Sequence, residues 1–400
     1  MNRIILHICI YTIVIMVLGC VEEVNFENET FEDVLVIDAV ITNEEVYQEI
    51  RLGRTYRFED EDEFHPETNA TVVVVGDGIA YQFKEMEAGL YRSVTPFAAQ
   101  PNVMYHLEIT TYGGKRYTSS TTQLTSVAQI DRVYAVRELN SNDQDGVAIY
   151  LDALDPNGDS NYYRYEYEET YKIIPPLFVE EDLIKVSDFP DCEVAFTERD
   201  QQKRICYRTD FSSNINLANS ELLNEDRITR HLIRFVSNEN YIISHRYSIL
   251  VKQFVQTKAA HEYFKAVTGF TSEGSIFSRL QGGYIQGNIK SISDPKEKVI
   301  GYFEASSVTK DRIFFNYTDL FPGEPLPPYR YRCNPDAPNQ IHDNGRECGR
   351  LIRGIDLNFL IYWKPNLGEI EDGGPYLMVR RACGDCTALG DPEIPEFWTE

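Results

Sequence analysis

The sequence predicts a mostly β protein built as two domains, and three observations carry that expectation. Tyrosine (26) and phenylalanine (21) are abundant while methionine (5) and tryptophan (2) are scarce, a bias that suits pleated strands better than helical bundles. Short runs of alternating apolar and polar residues recur between turn signals along most of the chain. One stretch stands out as helical, Thr257 to Val267. At 400 residues the chain exceeds one small module, and 42% hydrophobic residues exclude disorder.

From Val34 to about Leu124 the chain reads as short strands. Val34-Leu35-Val36-Ile37 and Val40-Ile41 open the region, and Glu49-Ile50-Arg51-Leu52 alternates. Thr71 to Val75 is β-branched and ends at Gly76-Asp77-Gly78. Tyr81 and Phe83 alternate with Gln82 and Lys84, as Tyr105, Leu107 and Ile109 do with His106, Glu108 and Thr110. Tyr112-Gly113-Gly114-Lys115 is a hairpin turn, because glycine reaches positive φ without a Cβ clash. Strands at this spacing predict an immunoglobulin-like or prealbumin-like β-sandwich over 34–124.

A larger β-rich domain with one or two short helices is expected over 125–400. Gly146 to Leu151 is a strand, Asp155-Pro156-Asn157-Gly158-Asp159 a turn, and Asn161 to Glu168 a second strand. That second strand puts Tyr163, Tyr165 and Tyr167 on one face and Tyr162 and Arg164 on the other. Leu232 to Phe235 and Tyr247 to Val251 follow. In the helix, Ala260, Phe264 and Val267 share a face and Thr257 is placed to cap it. Strands resume at Gly287-Asn288-Ile289, Val299 to Phe303 and Arg312 to Phe315, and Pro392 to Trp398 is loop. No repeat and no long linker separates the two regions, so they are expected to pack closely.

Residues 1–19 read as a signal peptide, with Arg3 the only charge before an apolar stretch from Ile4 to Leu18. The stretch ends Val17-Leu18-Gly19-Cys20, which resembles a bacterial lipobox. Cys20 would then carry a diacylglycerol and an N-acyl chain such as palmitate. Several chains, at about 0.8 kcal/mol per buried methylene, anchor stably where one is marginal. The competing reading is an ordinary cleaved signal with a chance cysteine. Residues 20–33 read as an acidic tether, in which Glu22 and Glu23 resemble the surface-export signal of Bacteroidota lipoproteins, with plain solvation of the tether as the alternative.

The net charge of −25 repels phosphate backbones and anionic headgroups, which argues against nucleic acid as a partner. Cys192, Cys206, Cys333, Cys348, Cys383 and Cys386 remain after the signal and the lipidation site, an even set that reads as disulfides in an exported protein. Cys192 with Cys206 would close a short loop and is the favoured pair, and one of the later four would bridge the late loop to the tail. A Cys₄ zinc site fits the count but not the spacing, and Cys383-x-x-Cys386 lacks the following helix of a redox motif.

Catalytic motifs are not met. His261-Glu262 lacks the second histidine of a zinc protease, since Lys265 stands there, and the histidines at 65, 106, 231, 245, 261 and 342 are scattered. No Gly-x-Ser-x-Gly elbow or phosphate-binding glycine loop occurs. Two oxygen-rich segments are weak candidates for a structural Ca²⁺: the run Glu59 to Glu63, and the set Asp152, Asp155, Asn157 and Asp159. A solvated loop and simple turn chemistry are the competing readings. Tyrosines 162, 163, 165, 167 and 171 offer a stacking platform, against a core role on one strand face.

Several motifs in order resemble a family of Bacteroidota outer-membrane lipoproteins, domain of unknown function 4249. They are Val36-Ile37-Asp38-Ala39-Val40-Ile41-Thr42-Asn43, then Gly113 to Ser119, then Asp155-Pro156 to Asn161-Tyr162-Tyr163-Arg164. Gly274-Ser275-Ile276-Phe277 into Gln286-Gly287-Asn288-Ile289 follows, with Asp294-Pro295 to Val299-Ile300-Gly301-Tyr302-Phe303. The tail Cys383-x-x-Cys386-Thr387 with Pro395-Glu396-Phe397-Trp398 completes the set. The resemblance covers essentially the whole mature chain and implies a non-catalytic accessory of a TonB-dependent outer-membrane transporter. It supplies no catalytic residues. A free-standing surface binding or adhesion module, and a hydrolase of surface glycans or peptides, are the alternatives.

Overall fold

The computed structural model describes residues 33–55, 65–223, 225–270, 285–342 and 345–400. The fold is mostly β, as the sequence predicts. The N-terminal sheet contains β1 (Leu35–Thr42), β2 (Glu49–Arg54), β3 (His65–Pro66), β4 (Thr71–Gly76), β5 (Ile79–Glu87) and β6 (Leu90–Ser93), with β7 (Met104–Thr110), β8 (Arg116–Ser119) and β9 (Thr122–Gln123). Their alternation sets the core: Tyr105, Leu107 and Ile109 of β7 are buried between open neighbours, and Val72 and Val74 of β4 join them. In the turn between β7 and β8, Gly114 alone takes positive φ and donates to the Thr111 carbonyl.

The sheet does not end with residue 124. β19 (Ile289–Ser291) pairs with β8 at one edge, and β20 (Val299–Ser306) pairs with β1 at the other. The β1–β20 ladder is parallel over its whole length, Leu35 opposite Val299 through Thr42 opposite Ser306. β1 reads as a nearly continuous apolar run because both of its faces are covered. Leu35, Ile37, Ala39 and Ile41 enter the sheet's core, while Val34 and Val36 pack on α1 (Lys258–Phe270).

The two edges of this curled sheet meet at Asn288. Its Nδ2 donates to the Phe303 carbonyl at 2.8 Å, and Phe303 N donates to its Oδ1 at 2.8 Å, so one side chain stands in for a backbone ladder. The seam is tight enough to require glycine twice. A Cβ at Gly287 would lie 1.6 Å from the Gly301 carbonyl, and one at Gly301 would lie 2.5 Å from that of Ile37.

The second unit packs a three-stranded sheet on a larger one. The first is β10 (Gln129–Leu139), β11 (Asp145–Leu154) and β17 (Arg227–Ser237). The second runs β15 (Cys206–Phe211), β12 (Tyr162–Ile173), β18 (Arg246–Val255), β21 (Val308–Asn316), with β16 (Asn216–Asn219) also on β12. Val147, Ile149 and Leu151 meet Tyr163, Tyr165, Tyr247 and Ile249 in the shared core. α1 is capped as expected, Ala260 N donating to Thr257 Oγ1 at 3.2 Å, and it buries Ala260, Phe264 and Val267. A third, smaller unit holds the hairpin β13 (Glu181–Lys185) and β14 (Val194–Glu198), the hairpin β22 (Leu360–Pro365) and β23 (Tyr376–Arg380), and α3 (Arg350–Asp356). A four-residue helix, α2 (Tyr317–Leu320), follows β21.

One residue, Ser307, separates β20 in the first sheet from β21 in the second. Ser307 N donates to Thr125 Oγ1 at 2.9 Å, Val255 N donates to the Ser307 carbonyl at 3.0 Å, and Thr125 Oγ1 donates to the Val255 carbonyl at 3.0 Å. Asn43, just beyond β1, accepts from Val308 N at 2.7 Å. The backbone of the junction is thus hydrogen-bonded from both sides.

Replacing Asn288 with alanine strands an amide and a carbonyl at the seam, so Asn288→Ala is expected to cost about 1–3 kcal/mol in urea unfolding. A change below about 0.5 kcal/mol, the usual surface range, would show that the seam closes without it.

Candidate functional site

Cys20, Glu22 and Glu23 lie outside the described residues, as do the acidic run Glu59 to Glu63 and the motif Gly274 to Phe277. The six later cysteines are all paired: Cys192 with Cys348, Cys206 with Cys386, and Cys333 with Cys383. The favoured Cys192–Cys206 bridge is therefore wrong. Cys192 sits at the tip of the β13–β14 hairpin while Cys206 opens β15 beyond the hairpin's base, so closeness in sequence does not become closeness in space. The expected bridge from the late loop to the tail exists as Cys333–Cys383.

Two of the disulfides tie the mid-chain segment at Cys192 and Cys206 to Cys348 and Cys386, and the third joins Cys333 to Cys383 within the C-terminal region. They span 156, 180 and 50 residues, and closing loops of that length removes about 4 kcal/mol or more of unfolded-state entropy each in the chain-entropy account. Arg199 reinforces the seam from inside. Its buried guanidinium donates to the Tyr362 carbonyl at 2.7 Å and to Asp182 at 3.1 Å. Asp385, between the paired cysteines of the Cys-x-x-Cys motif, accepts from Thr387 N at 2.9 Å and from Arg381 Nε at 2.8 Å. Burial pushes its carboxyl up, and these donors outweigh that and hold it below its ordinary value. The motif is structural here.

The expected oxygen set separates. Asp152 is occupied: Arg132 Nε donates at 2.7 Å and Arg230 N at 2.6 Å. Asn157 and Asp159 are exposed on the turn, where Gly158 takes φ +73°. Asp155 turns inward and is 3% exposed, and its backbone N donates to the Asp226 carbonyl at 3.0 Å. Asp226, itself buried, carries no sequence signal that singles it out.

The tyrosine strand is not a stacking platform. Tyr163, Tyr165 and Tyr171 are each 1% exposed and their hydroxyls are spent, on Asp226 at 2.9 Å, Gln253 at 3.2 Å and Asp210 at 2.8 Å. Tyr162 and Tyr167 are only half-buried, yet lone rings do not make a platform. His231 is held neutral by burial, its pKa brought down to about 4, with Nε2 2.7 Å from Asn216 Oδ1.

Sequence reasoning missed the charge cluster at the junction of the two large units. Arg164 of β12 bonds Glu304 of β20 at 3.1 Å and pairs with Glu166, and its guanidinium lies over Phe254 at 4.7 Å and Phe264 of α1 at 5.0 Å. Gln256 Nε2 also donates to Glu304, at 3.2 Å. Asp38 of β1 stands close by, opposite Tyr302. One guanidinium thus faces three carboxylates, of which Glu304 is buried and Glu166 is open to water. Loss of solvation raises the Glu304 carboxyl above its ordinary value against the pull of Arg164, and Asp38 adds to the rise. Asp38 is raised in the same way. The cluster ties β1, β12, β20 and α1 into one joint.

A carboxyl whose folded-state pKa is raised opposes folding once ionised. The stability that Glu304 supplies is therefore fully present below its unfolded value of 4.5 and is lost as pH rises through the raised value. Comparing wild type with Glu304→Gln by urea unfolding, the wild type should gain relative to the variant as pH falls through the raised value toward 4.5. A difference that shrinks or stays flat over the same range would contradict this cluster's electrostatics.

No curated protein matches the chain. A family model described as "Domain of unknown function (DUF4249)" matches residues 21–312, from just after the candidate lipidation site to the middle of β21. The match covers the N-terminal sheet, the junction and most of the second unit, and it stops short of the Cys-x-x-Cys tail. By that extent the chain belongs to the DUF4249 family.

Proposed function

We propose that the protein is a non-catalytic lipoprotein of the outer membrane, and that it serves a TonB-dependent transporter as an accessory, ligand-capturing subunit. The observation that carries this reading is the pairing of all six later cysteines in three disulfides, an arrangement that belongs to an oxidising compartment outside the cytoplasm. The Leu18-Gly19-Cys20 end of the apolar N-terminal stretch supports lipidation at Cys20, and Glu22 and Glu23 support outward display. The barrel as partner is the expectation that the resemblance of the sequence motifs carries.

The disulfide-tied unit supports a docking role. It exposes Ile184, Val186, Phe189 and Phe196 around the β13–β14 hairpin, with Leu357 and Phe359 beyond α3. An apolar set of this kind on a cross-linked scaffold suits a partner surface, because little order is lost on binding.

Two measurements test the reading. Cys20→Ala should release the protein from membranes into the soluble fraction, and retention would overturn the anchor. Gentle detergent purification through a C-terminal tag should recover a TonB-dependent barrel in near-equal amount. Recovery of the lipoprotein alone, even after crosslinking, would count against the transporter role and favour a free-standing binder.

A further inference from the structure

The geometry points to a bound Ca²⁺ ion between Asp155 and Asp226, at the inner end of the β11–β17 ladder. The last registered pair of that ladder is Leu154 opposite Arg227. Asp155 N donates to the Asp226 carbonyl at 3.0 Å, so the pairing runs one step further and sets the two aspartates opposite each other. Directly opposed side chains on an antiparallel pair share a face, with Cβ atoms about 4.5–5.5 Å apart. By alternation that face is the one on which Ala153 and Ile228 enter the core.

Each carboxylate has one oxygen engaged and one left over. Asp155 Oδ1 accepts from Asn157 N at 3.0 Å, and Asp226 Oδ1 accepts from Tyr163 Oη at 2.9 Å and from Ser220 Oγ. Oδ2 of Asp155 and Oδ2 of Asp226 meet neither a donor nor solvent, in residues 3% and 7% exposed. Among the described residues no lysine, arginine or histidine forms an ion pair with either one. Two like charges set opposite each other and cut off from water repel, and each also bears a desolvation cost.

A divalent cation removes both costs at once. Oxygen ligands are at hand there: the two free carboxylate oxygens, the Ser220 hydroxyl on Asp226, and the Ser160 carbonyl that Tyr163 Oη reaches. Mixed carboxylate, hydroxyl and carbonyl oxygen without nitrogen or sulfur is the chemistry of Ca²⁺, which tolerates irregular geometry where Mg²⁺ demands a regular octahedron. The rival arrangement is a proton shared between the two acids. It predicts that removing one charge stabilises the fold and that calcium does nothing.

The test compares the purified protein in EDTA with the same protein in excess CaCl₂, by thermal unfolding and by calorimetric titration with Ca²⁺ alone. Expected are one saturating site and a Tm raised by about 3 °C at a hundredfold excess over Kd, both lost in Asp226→Asn and in Asp155→Asn. An unchanged wild-type Tm with no binding heat would overturn the proposal without recourse to any variant. Equal Ca²⁺ binding by wild type and by either folded variant would place the ion elsewhere and overturn it as well.

Discussion

The parallel ladder between Leu35–Thr42 and Val299–Ser306 joins the first described strand to one that arrives more than half the chain later. Until β20 is in place, β1 has an open edge, the N-terminal sheet cannot curl shut, and Asn288 has no Phe303 to grip. Because β20 continues through Ser307 into β21, the chain that closes the first sheet goes on directly to form an edge of the second. Closing a loop of this length has a substantial entropic cost, which the buried apolar faces of β1, β20 and α1 offset together. The large units are therefore coupled through consecutive strands joined at Ser307, and the charged joint at Arg164 sits on this coupling.

The third unit answers a different problem. Its apolar clusters are small, with five buried residues in one and three in the other, too few to hold two hairpins and a short helix in place by burial alone. Three covalent links and the buried Arg199 make up the difference. A unit held in this way keeps its shape while presenting apolar residues outward, which a partner-binding surface requires.

Local structure was legible in the sequence and long-range pairing was not. The alternation at 105–110, the β-branched run at 71–75 and the Thr257-capped helix all fall where the pattern put them, because period and capping are local physics. The motif Gly287-Asn288 was visible but its meaning was not, since its partners are Gly301 and Phe303 across a seam. Cys192 and Cys206 looked like partners only while the intervening hairpin was ignored. Asp226 was unreadable for the same reason: what isolates it is the strand opposite, and the sequence does not state the register of β11 against β17. Tyr163 and Tyr165 were correctly placed on one strand face, and the second sheet, rather than a ligand, fills the space in front of them.

Consecutive strands joined across the junction make a single prediction about cooperativity, and native-state hydrogen exchange under increasing denaturant reads it directly. Amides in β1, β20, β18 and β21 should open with one common free energy, because β20 of the first sheet and β21 of the second are joined through Ser307, whose backbone is bonded to Thr125 and Val255. Loss of protection across β1 to β9, β19 and β20 at lower denaturant than across β10 to β12, β15 to β18 and β21 would show two independent units merely in contact, and would contradict the coupling through β20.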